Sequence, residues 1–327
     1  MINILFTCVG RRVELVQQFQ KAKAAKNIQG NILCSDMSPL APALYYGDNH
    51  FILPALKDKL YIDALLQLCI DQEVSIIIPT IDTELELLTE NANRFEAIGT
   101  KLLVTNGYTV QLSQNKYLTY KFFKSLGLDT PATYLAKEID TIDFPCFAKP
   151  SNGSSSINTF KINSKRELDF FKDYIPNCII QDYIIGTEYS IDIFSDFDGN
   201  PIYITPRIRL ATRSGEVLKS KIVHDLELIN FSKMICKELK STGPITIQAI
   251  KSNTDNKYYF IEINARFGGG SPLSMMAGAD SASILYDLLL EKELCITNNI
   301  QYNTVFSRFD QTIMLCQKED NNEYEKI

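Results

Sequence analysis

The chain has 327 residues, of which 45% are hydrophobic and 22% are charged, a balance that excludes a disordered or fibrous protein. Its 33 basic and 39 acidic residues give a formal net charge of −6. This charge argues against a nucleic-acid groove, and it means that any bound anion must be met by a local cluster of cations. No stretch approaches the roughly 18 uninterrupted apolar residues of a membrane span, so no membrane association is expected.

The eight cysteines are scattered without a C-x-x-C pair, and the chain has only two histidines. This pattern indicates reduced thiols in a cytoplasmic protein, and neither a disulfide framework nor a zinc site. The start of the chain, MINILFTCVGRRVELV, has no basic region before its short apolar run. We therefore interpret it as a first strand and not as a signal peptide.

The first third of the chain alternates between short apolar runs and amphipathic stretches, which predicts a βαβ arrangement with a parallel sheet. The predicted strands are INILFT, NILCS, SIIIP and KLLVT, and the predicted helices cover residues 12–26, 60–72 and 83–95. Only one glycine follows the first strand, where a dinucleotide-binding fingerprint needs three, so NAD binding is rejected.

Three acidic residues, Asp36, Asp82 and Glu84, follow predicted strands at the edge where open α/β sheets bind ligands. For any single one of them, helix capping is the favoured interpretation. Together they mark a crevice in which a substrate could be held.

The rest of the chain predicts first a helix that ends at Gly127 and then a small αβ unit with a helix at 164–174. Long alternating strands follow, with helices at 227–241 and 280–291. We therefore predict three parts, which are residues 1–110, 111–183 and 184–327.

The stretch KYYFIEIN carries the clearest polar pattern, because strand alternation places Glu262 and Asn264 on one face, together with Tyr258 and Phe260. The preceding strand, PITIQAIK, is joined to it by the turn-rich SNTDN. This order predicts an antiparallel hairpin that brings Gln248 close to Glu262. Carboxylate and amide oxygens suit Mg²⁺, although a solvated strand face explains this stretch equally well.

A lysine followed by small residues is found in FPCFAKPSNGSSS, where Lys149 precedes the loop 151–156. Backbone N–H groups of such a loop can approach phosphate oxygens while the lysine supplies charge. The loop lacks the G-K-[ST] of a P-loop, and a Ser-rich loop by itself is more often a plain turn.

Two further strands carry charged faces. In CIIQDYIIGTEYSIDIF, alternation places Glu188, Ser190 and Asp192 opposite an apolar face, and Glu188 would suit ribose hydroxyls. Arg207 and Arg209 share a face of the next strand, and guanidinium groups suit carboxylates and phosphates. A surface strand and solvated arginines are the alternative interpretations.

Taken in order, these motifs resemble the ATP-grasp superfamily, and within it the short proteins similar to the carbamoyl-phosphate synthase large subunit. The most specific parts are EINARFGGG and the spacing of 14 residues from Gln248 to Glu262. The resemblance implies an α/β protein, α+β in its C-terminal part, with a Rossmann-like pre-ATP-grasp domain at 1–110. The ATP-grasp fold would then comprise a central small subdomain with its lead-in helix at 111–183 and a C-terminal subdomain with the metal site at 184–327. ATP and Mg²⁺ are the implied cofactors, with Mn²⁺ as the alternative ion.

The resemblance also implies roles for individual residues. Two lysines would meet the nucleotide phosphates, the serine-rich loop would cover them, a hinge would hold adenine, and Glu188 would bind ribose. These nucleotide-binding residues are Lys116, Lys149, Ser151, Gly153, Ser154, Ser155, Ser156, Gln181, Asp182, Tyr183, Ile184 and Glu188. The implied metal ligands are Gln248, Glu262 and Asn264, and the implied catalytic residues are Arg266, Lys149, Arg207 and Arg209. Gln181 departs from the glutamate of many members, and the covering loop has fewer glycines than most.

The activity that the resemblance implies is an ATP-dependent carboxylate–amine ligase acting through an acyl phosphate. Its partners would be a small-molecule carboxylate and a small-molecule amine, and similar proteins are commonly homodimers. Two alternatives stay open, a kinase-like enzyme that stops at an acyl or carbamate phosphate and a nucleotide-binding accessory protein. The chain is too short for carbamoyl phosphate synthesis itself.

Overall fold

The computed structural model describes residues 1–139, 141–153, 157–294, 296, 299–318 and 324–327. The strands are β1 (Asn3–Thr7), β2 (Ile32–Asp36), β3 (Asn49–Ile52), β4 (Val74–Pro79), β5 (Lys101–Leu102), β6 (Thr133–Leu135), β7 (Cys146–Pro150), β8 (Phe160–Ile162), β9 (Cys178–Asp182), β10 (Gly186–Ser195), β11 (Pro201–Arg213), β12 (Glu216–Ile222), β13 (Gly243–Ser252), β14 (Tyr258–Asn264), β15 (Val305–Ser307), β16 (Leu315–Gln317) and β17 (Tyr324–Lys326). The helices are α1 (Val13–Ala25), α2 (Tyr61–Asp71), α3 (Asp82–Glu90), α4 (Ala92–Ala97), α5 (Gly107–Gln114), α6 (Lys116–Ser125), α7 (Lys165–Tyr174), α8 (Leu226–Leu239), α9 (Ser271–Met276) and α10 (Ser281–Leu289).

The N-terminal sheet is parallel, with the strand order β3-β2-β1-β4-β5. Every residue of β1 is buried, as expected for a parallel sheet with both faces covered. Helix α1 packs its apolar side on this sheet, where the rings of Phe6 and Phe19 lie 5.0 Å apart, and the Tyr286 ring of α10 lies 6.3 Å from Phe19. The predicted βαβ arrangement is confirmed, and the C-terminal α10 completes its core.

Two predicted helices are each divided at an asparagine. The helix expected to run to Gly127 is interrupted at Asn115, whose extended backbone separates α5 from α6. The Asn115 side chain accepts hydrogen bonds from the backbone N–H groups of Tyr117 and Leu118, so it caps α6. The helix predicted at 83–95 likewise divides at Asn91 into α3 and α4. In both cases the apolar periodicity continues across the break, which is why it predicted one helix.

A small antiparallel sheet follows, with the strand order β6-β9-β7-β8. Helix α7 packs on it through Leu168, which is buried with Cys146, Ala148 and Ile180. Ser164 caps α7 by accepting a hydrogen bond from the backbone N–H of Glu167. Strand β7 ends in Lys149 and Pro150, so Lys149 lies at the end of this sheet.

The C-terminal sheet is antiparallel, with the strand order β14-β13-β10-β11-β12-β15. One face packs against α6 and α8 through buried residues such as Tyr189, Ile191 and Ile247. The alternation predicted for β10 is confirmed, because Ser190 lies opposite both Gln248 of β13 and Arg207 of β11. These polar residues therefore share the opposite face of the sheet.

The face predicted for β14 is partly wrong. Gln248 pairs with Glu262, but Ala249 pairs with Phe260, so Ile261 is an extra residue that forms a β-bulge. Phe260 consequently points into the core, where its ring lies 5.5 Å from Phe123. Glu262 and Asn264 point to the other face, because the bulge resets the alternation between residues 260 and 262.

The domain boundaries at 110 and 183 stay a prediction. In the part of the chain that the structure describes, no helix has both the length and the apolar composition needed to cross a membrane.

Candidate active site

A cleft of about 200 Å³ lies where the N-terminal sheet, the small sheet and the polar face of the C-terminal sheet meet. Its lining combines six cationic side chains with two carboxylates. The cations are Arg12, Lys116, Lys149, Arg207, Arg209 and Arg266, and the carboxylates are Glu216 and Glu262. In a chain of net charge −6, this is the local cationic cluster that an anion would require.

The predicted metal ligands come together on β13 and β14. Gln248 lies directly opposite Glu262, as predicted, and Asn264 lies opposite Thr246 two pairs further along. Asn264 Oδ1 also accepts a hydrogen bond from Arg266 Nη2 at 3.2 Å. Among the described residues, no group of three or more His, Cys, Asp or Glu side chains could hold a metal. One carboxylate and two amide oxygens fit Mg²⁺ if phosphate oxygens complete its coordination.

Two lysines lie at the small-sheet end of the cleft. Lys149 is buried, and burial together with the charge of Lys116 lowers its pKa to about 8, an effect that Glu262 partly opposes. Lys116 begins α6, and its Nζ donates a hydrogen bond to the Gly153 carbonyl. The Lys116 backbone N–H donates to the Ser151 carbonyl at 2.8 Å. Lys116 is therefore tied to the start of the serine-rich loop, of which Ser154, Ser155 and Ser156 lie outside the described residues.

The residues predicted to hold adenine do not line the cleft. Gln181 is buried in the small sheet, where its Nε2 donates to Thr133 Oγ1 at 2.8 Å. The Tyr183 ring lies 6.4 Å from the ring of Phe147, which does line the cleft. Asp182 and Ile184 belong to the same segment outside the cleft lining. An adenine role for residues 181–184 stays a prediction.

Glu188, predicted to bind ribose, is about half exposed at the rim and forms an ion pair with Arg209. The distance from Arg209 Nε to Glu188 Oε2 is 3.2 Å. Arg209 Nη2 also donates a hydrogen bond to the Gly215 carbonyl at 2.9 Å. Glu188 and Arg209 therefore neutralise each other at the rim in this structure.

Arg207 and Asp192 form a buried pair beneath the cleft. Arg207 Nε donates to Asp192 Oδ2 at 2.7 Å and Nη2 donates to Oδ1 at 3.3 Å, while Thr246 and Ser274 also donate to this carboxylate. Arg207 Nη1 has no hydrogen-bond partner among the described residues. The guanidinium is thus fixed by two nitrogens, while the third is buried without a partner at the wall of the cleft that Arg207 lines.

The three glycines at 268–270 each leave room for a different polar group. A Cβ atom on Gly268 would lie 2.7 Å from Thr246 Oγ1, one on Gly269 would lie 2.7 Å from Arg12 Nη1, and one on Gly270 would lie 2.6 Å from Arg207 Cζ. Side chains in this loop would displace the polar groups that line the cleft.

Of the three acidic residues after the N-terminal strands, only Asp82 reaches this site. Its Oδ2 accepts hydrogen bonds from Arg266 Nη2 at 2.6 Å and Nε at 3.0 Å. The capping interpretation of Asp82 is wrong, because Asp82 is the first residue of α3 and its carboxylate turns to Arg266. Asp36 instead accepts hydrogen bonds from the backbone N–H groups of Gly10 and Ser38.

Glu84 is fully buried, so it cannot contact a substrate in the crevice. It accepts hydrogen bonds from Thr7 Oγ1 at 2.8 Å and Tyr61 OH at 2.6 Å. Burial raises the pKa of the Glu84 carboxyl, an effect that these two donors oppose.

Arg12 and Glu216 line the cleft although neither was predicted as a site residue. The signal for Arg12 is its place just after the first strand, in the GRR sequence that ends at the ligand-binding edge of the sheet. Glu216 opens β12 just after a turn, and nothing in its local sequence indicates a site.

Comparison with known families identifies two matching segments. Residues 4–103 match the PylC-like N-terminal domain, and residues 113–270 match the ATP-grasp domain. The chain is therefore an ATP-grasp protein with a mixed α/β fold and a PylC-like N-terminal domain.

Curated relatives extend this result to ATP-grasp ligases. The chain is 26% identical over 243 residues to the carbamoyl phosphate synthase large chain of Pyrococcus furiosus. This match covers 64% of the present chain and 22% of the relative. It is 25% identical over 173 residues to the D-alanine–D-alanine ligase of Francisella tularensis, covering 48% of this chain and 58% of the relative. The matches thus span about a fifth of the first relative and under two thirds of the second.

A solved structure shows the same fold. The biotin carboxylase domain dimer of 2-oxoglutarate carboxylase from Hydrogenobacter thermophilus, solved with MgADP, ADP and bicarbonate, superposes with a TM-score of 0.75. The match covers 93% of this chain and 73% of that one at 17% sequence identity.

Proposed function

We propose that the protein is an ATP-dependent ligase that activates a carboxylate as an acyl phosphate and joins it to an amine, releasing ADP and phosphate. The observation that carries this proposal is the meeting of Lys149, Arg266 and the Gln248–Glu262 pair in one cationic cleft. The ligase activity of the D-alanine–D-alanine ligase relative and the MgADP in the biotin carboxylase structure support ATP and Mg²⁺ as cofactors.

Each part of the cleft would have its own task in the first step. Glu262, Gln248 and Asn264 would hold Mg²⁺, which neutralises phosphate charge when bound. Lys149 and Lys116 would bind the phosphates of ATP, and Arg266 would stabilise charge on the phosphoryl group in transfer. Arg207 Nη1 is a further open donor on the same face.

The reaction needs activation because a carboxylate does not react with an amine until one of its oxygens becomes a leaving group. A carboxylate oxygen attacks the γ-phosphorus, and the bond from phosphorus to the ADP oxygen breaks. The amine nitrogen then attacks the carbonyl carbon, phosphate leaves with its bonding electrons, and the nitrogen loses a proton. Positioning and charge neutralisation suffice, so no side-chain nucleophile is required.

A phosphate-release screen tests the proposal. Amino acids and small carboxylates are offered in pairs with ATP and Mg²⁺, and we expect ADP and phosphate to form in equal amounts only when both substrates are present. Glu262→Gln should reduce turnover about 1000-fold because the carboxylate ligand is lost. Glu238→Gln, an exposed change on α8, is the matched control and should keep full turnover. Full ATP-dependent activity in Glu262→Gln would contradict the metal assignment.

Location and assembly are further parts of the proposal. The seven described cysteines are all free, which supports a reducing, cytoplasmic location. The solved biotin carboxylase domain is a dimer, and this motivates a homodimer here. Sedimentation equilibrium would test the homodimer, and a monomer at micromolar concentration would exclude it.

A further inference from the structure

Arg12 reaches the cleft from the N-terminal part of the chain, and its guanidinium group makes few contacts that would stabilise its charge. Its side chain is half-buried, and its Nη2 donates one hydrogen bond, to the Thr80 carbonyl at 3.3 Å. Among the residues that the structure describes, no carboxylate lies within the 4.0 Å of a salt bridge to Arg12. The guanidinium therefore keeps donors that the protein does not use.

The other cleft arginines differ from Arg12 in this respect. Arg207 pairs with Asp192, Arg209 with Glu188, and Arg266 with Asp82. Arg12 also lies in the field of Arg266, and burial together with this like charge lowers the pKa of Arg12 to about 10, partly offset by Glu216 and Asp82. A bound anion would offset both the free-energy cost of burying the Arg12 charge and its repulsion by Arg266.

The glycine loop sets Arg12 beside a second open donor. Gly269 leaves the space that Arg12 Nη1 occupies, and the next residue, Gly270, leaves the space of the Arg207 guanidinium. Arg207 is about 2% exposed, and its Nη1 is the nitrogen without a partner. Two incompletely paired guanidinium groups, one from the residue before α1 and one from β11, therefore lie against the same short loop.

We propose that Arg12 and Arg207 Nη1 bind a carboxylate that takes no part in the reaction and that belongs to the amine substrate, which is then an amino acid. This inference rests on the proposed ligase function. Guanidinium groups suit the two oxygens of a carboxylate, whereas the phosphates already have Lys116, Lys149 and Arg266. Arg12 thereby becomes a residue that determines specificity for the amine.

Amino acids and their carboxamides are the probes that test this inference, because an amide keeps the amine and loses the negative charge. We expect wild-type kcat/KM to favour the acid over its amide by about 100-fold. Arg12→Ala should raise KM for the acid about 100-fold and abolish that preference, while KM for ATP and turnover of the amide change by no more than about twofold. Arg12→Lys should recover part of the preference.

Arg11 supplies the matched control. It is the neighbouring arginine, its side chain is 68% exposed, and it pairs with Asp310 away from the cleft. Arg11→Ala should keep the wild-type preference. If Arg12→Ala does not fold, Gly269→Ala replaces it, since its methyl group would displace Arg12 Nη1. An acid preference that survives both Arg12→Ala and Gly269→Ala, or a wild-type enzyme that uses amides as well as acids, overturns the inference.

Binding measurements separate this inference from the proposed function. Calorimetry with a non-hydrolysable ATP analogue and Mg²⁺ present measures amino-acid binding without turnover. Binding that depends on Arg12 without any phosphate release supports the carboxylate site and refutes the ligase. Amide formation with equal use of acid and amide supports the ligase and refutes the carboxylate site. A wild-type protein that neither binds nor uses any amino acid refutes the inference.

Discussion

Glu84 beneath the N-terminal sheet and the Asp192–Arg207 pair beneath the cleft are both buried ionisable groups, but their hydrogen bonds are completed differently. Glu84 is enclosed by Thr7 and Tyr61, which both donate to it, and it lines no part of the cleft. Asp192 is equally well bound, yet its partner Arg207 retains Nη1 without a partner. Both carboxylate oxygens of Glu84 therefore have hydrogen-bond donors, whereas the Asp192–Arg207 pair keeps one donor without a partner.

This difference separates a structural role from a binding role. A buried polar atom without a partner costs free energy, so a protein keeps one only where something else satisfies it. Glu84 is also buried and has a raised pKa, but both of its carboxylate oxygens already accept hydrogen bonds. An open donor at the wall of a cleft is therefore the more informative sign of a site. Four changes test this contrast.

Asp192→Asn should have the largest effect on stability. The change leaves Arg207 charged, buried and incompletely paired, and breaking a buried ion pair costs about 3–5 kcal/mol in free energy of unfolding. Urea denaturation measures the loss. Asp198→Asn, an exposed change in the following turn, is the control and should stay within about 0.5 kcal/mol of wild type. A loss below about 1 kcal/mol for Asp192→Asn would show that the pair is not a stabilising cluster.

Arg207→Lys should mainly affect catalysis. Lysine keeps a positive charge near Asp192 but has a single nitrogen, so it cannot bind Asp192 and also present a donor in place of Nη1. We therefore expect kcat/KM to fall about 100-fold. Steady-state phosphate release measures this, with Arg213→Lys on the same strand as an exposed control that should change little. Equal activity of the two variants would mean that the open nitrogen has no catalytic use.

Lys149 should give nucleotide binding a pH dependence. Its pKa is lowered to about 8, so the charged form predominates below pH 8 and is lost as the pH rises above it. The Kd for ATP with Mg²⁺ should therefore rise toward about 10-fold per pH unit above 8, as calorimetry between pH 6.5 and 9.5 would measure. Lys149→Arg should remove this dependence because a guanidinium stays charged. A wild-type Kd that is flat to pH 9.5 would contradict the role of Lys149.

Glu84→Gln should have the smallest effect, about 1 kcal/mol, with turnover unchanged, because the amide oxygen accepts from one hydroxyl group and the amide NH2 donates to the other once that hydroxyl group rotates. The raised pKa means that folded Glu84 holds its proton at pH values where the unfolded chain, at about 4.5, has released it. Wild-type stability should therefore fall as pH rises from 4.5 toward the raised pKa, and Glu84→Gln should lack that component. Thermal melts across this pH range measure both, and reduced turnover in Glu84→Gln would place Glu84 in the site.

The sequence predicted the features that local pattern determines. Gln248 and Glu262 could be placed close together from a hairpin centred near residue 255, although the observed register brings them opposite each other only through the bulge at Ile261. Strand β10 could be divided into two faces because its alternation is unbroken. The parallel N-terminal sheet followed from its buried apolar strands.

What the sequence did not predict depends on contacts between distant residues. The bulge at Ile261 is invisible in an apolar run, because it is set by the packing of Phe260 against Phe123 and Phe231. Arg12 meets Gly269 and Asp82 meets Arg266 only once the two large sheets lie against each other. Asn115 did carry a capping signal, but the continuing apolar periodicity outweighed it.

The extra residue in β14 also constrains how this segment can be varied. Deleting Ile261 would remove the bulge and keep Phe260 and Glu262 on their present faces, whereas deleting Ile263 would move Asn264 to the core face of the sheet. Residue count between the turn and the glycine loop thus matters as much as residue identity. Libraries that keep the length of residues 262–264 and vary their side chains would change the lining of the cleft, whereas a one-residue shortening of this stretch would remove Asn264 from the cleft face.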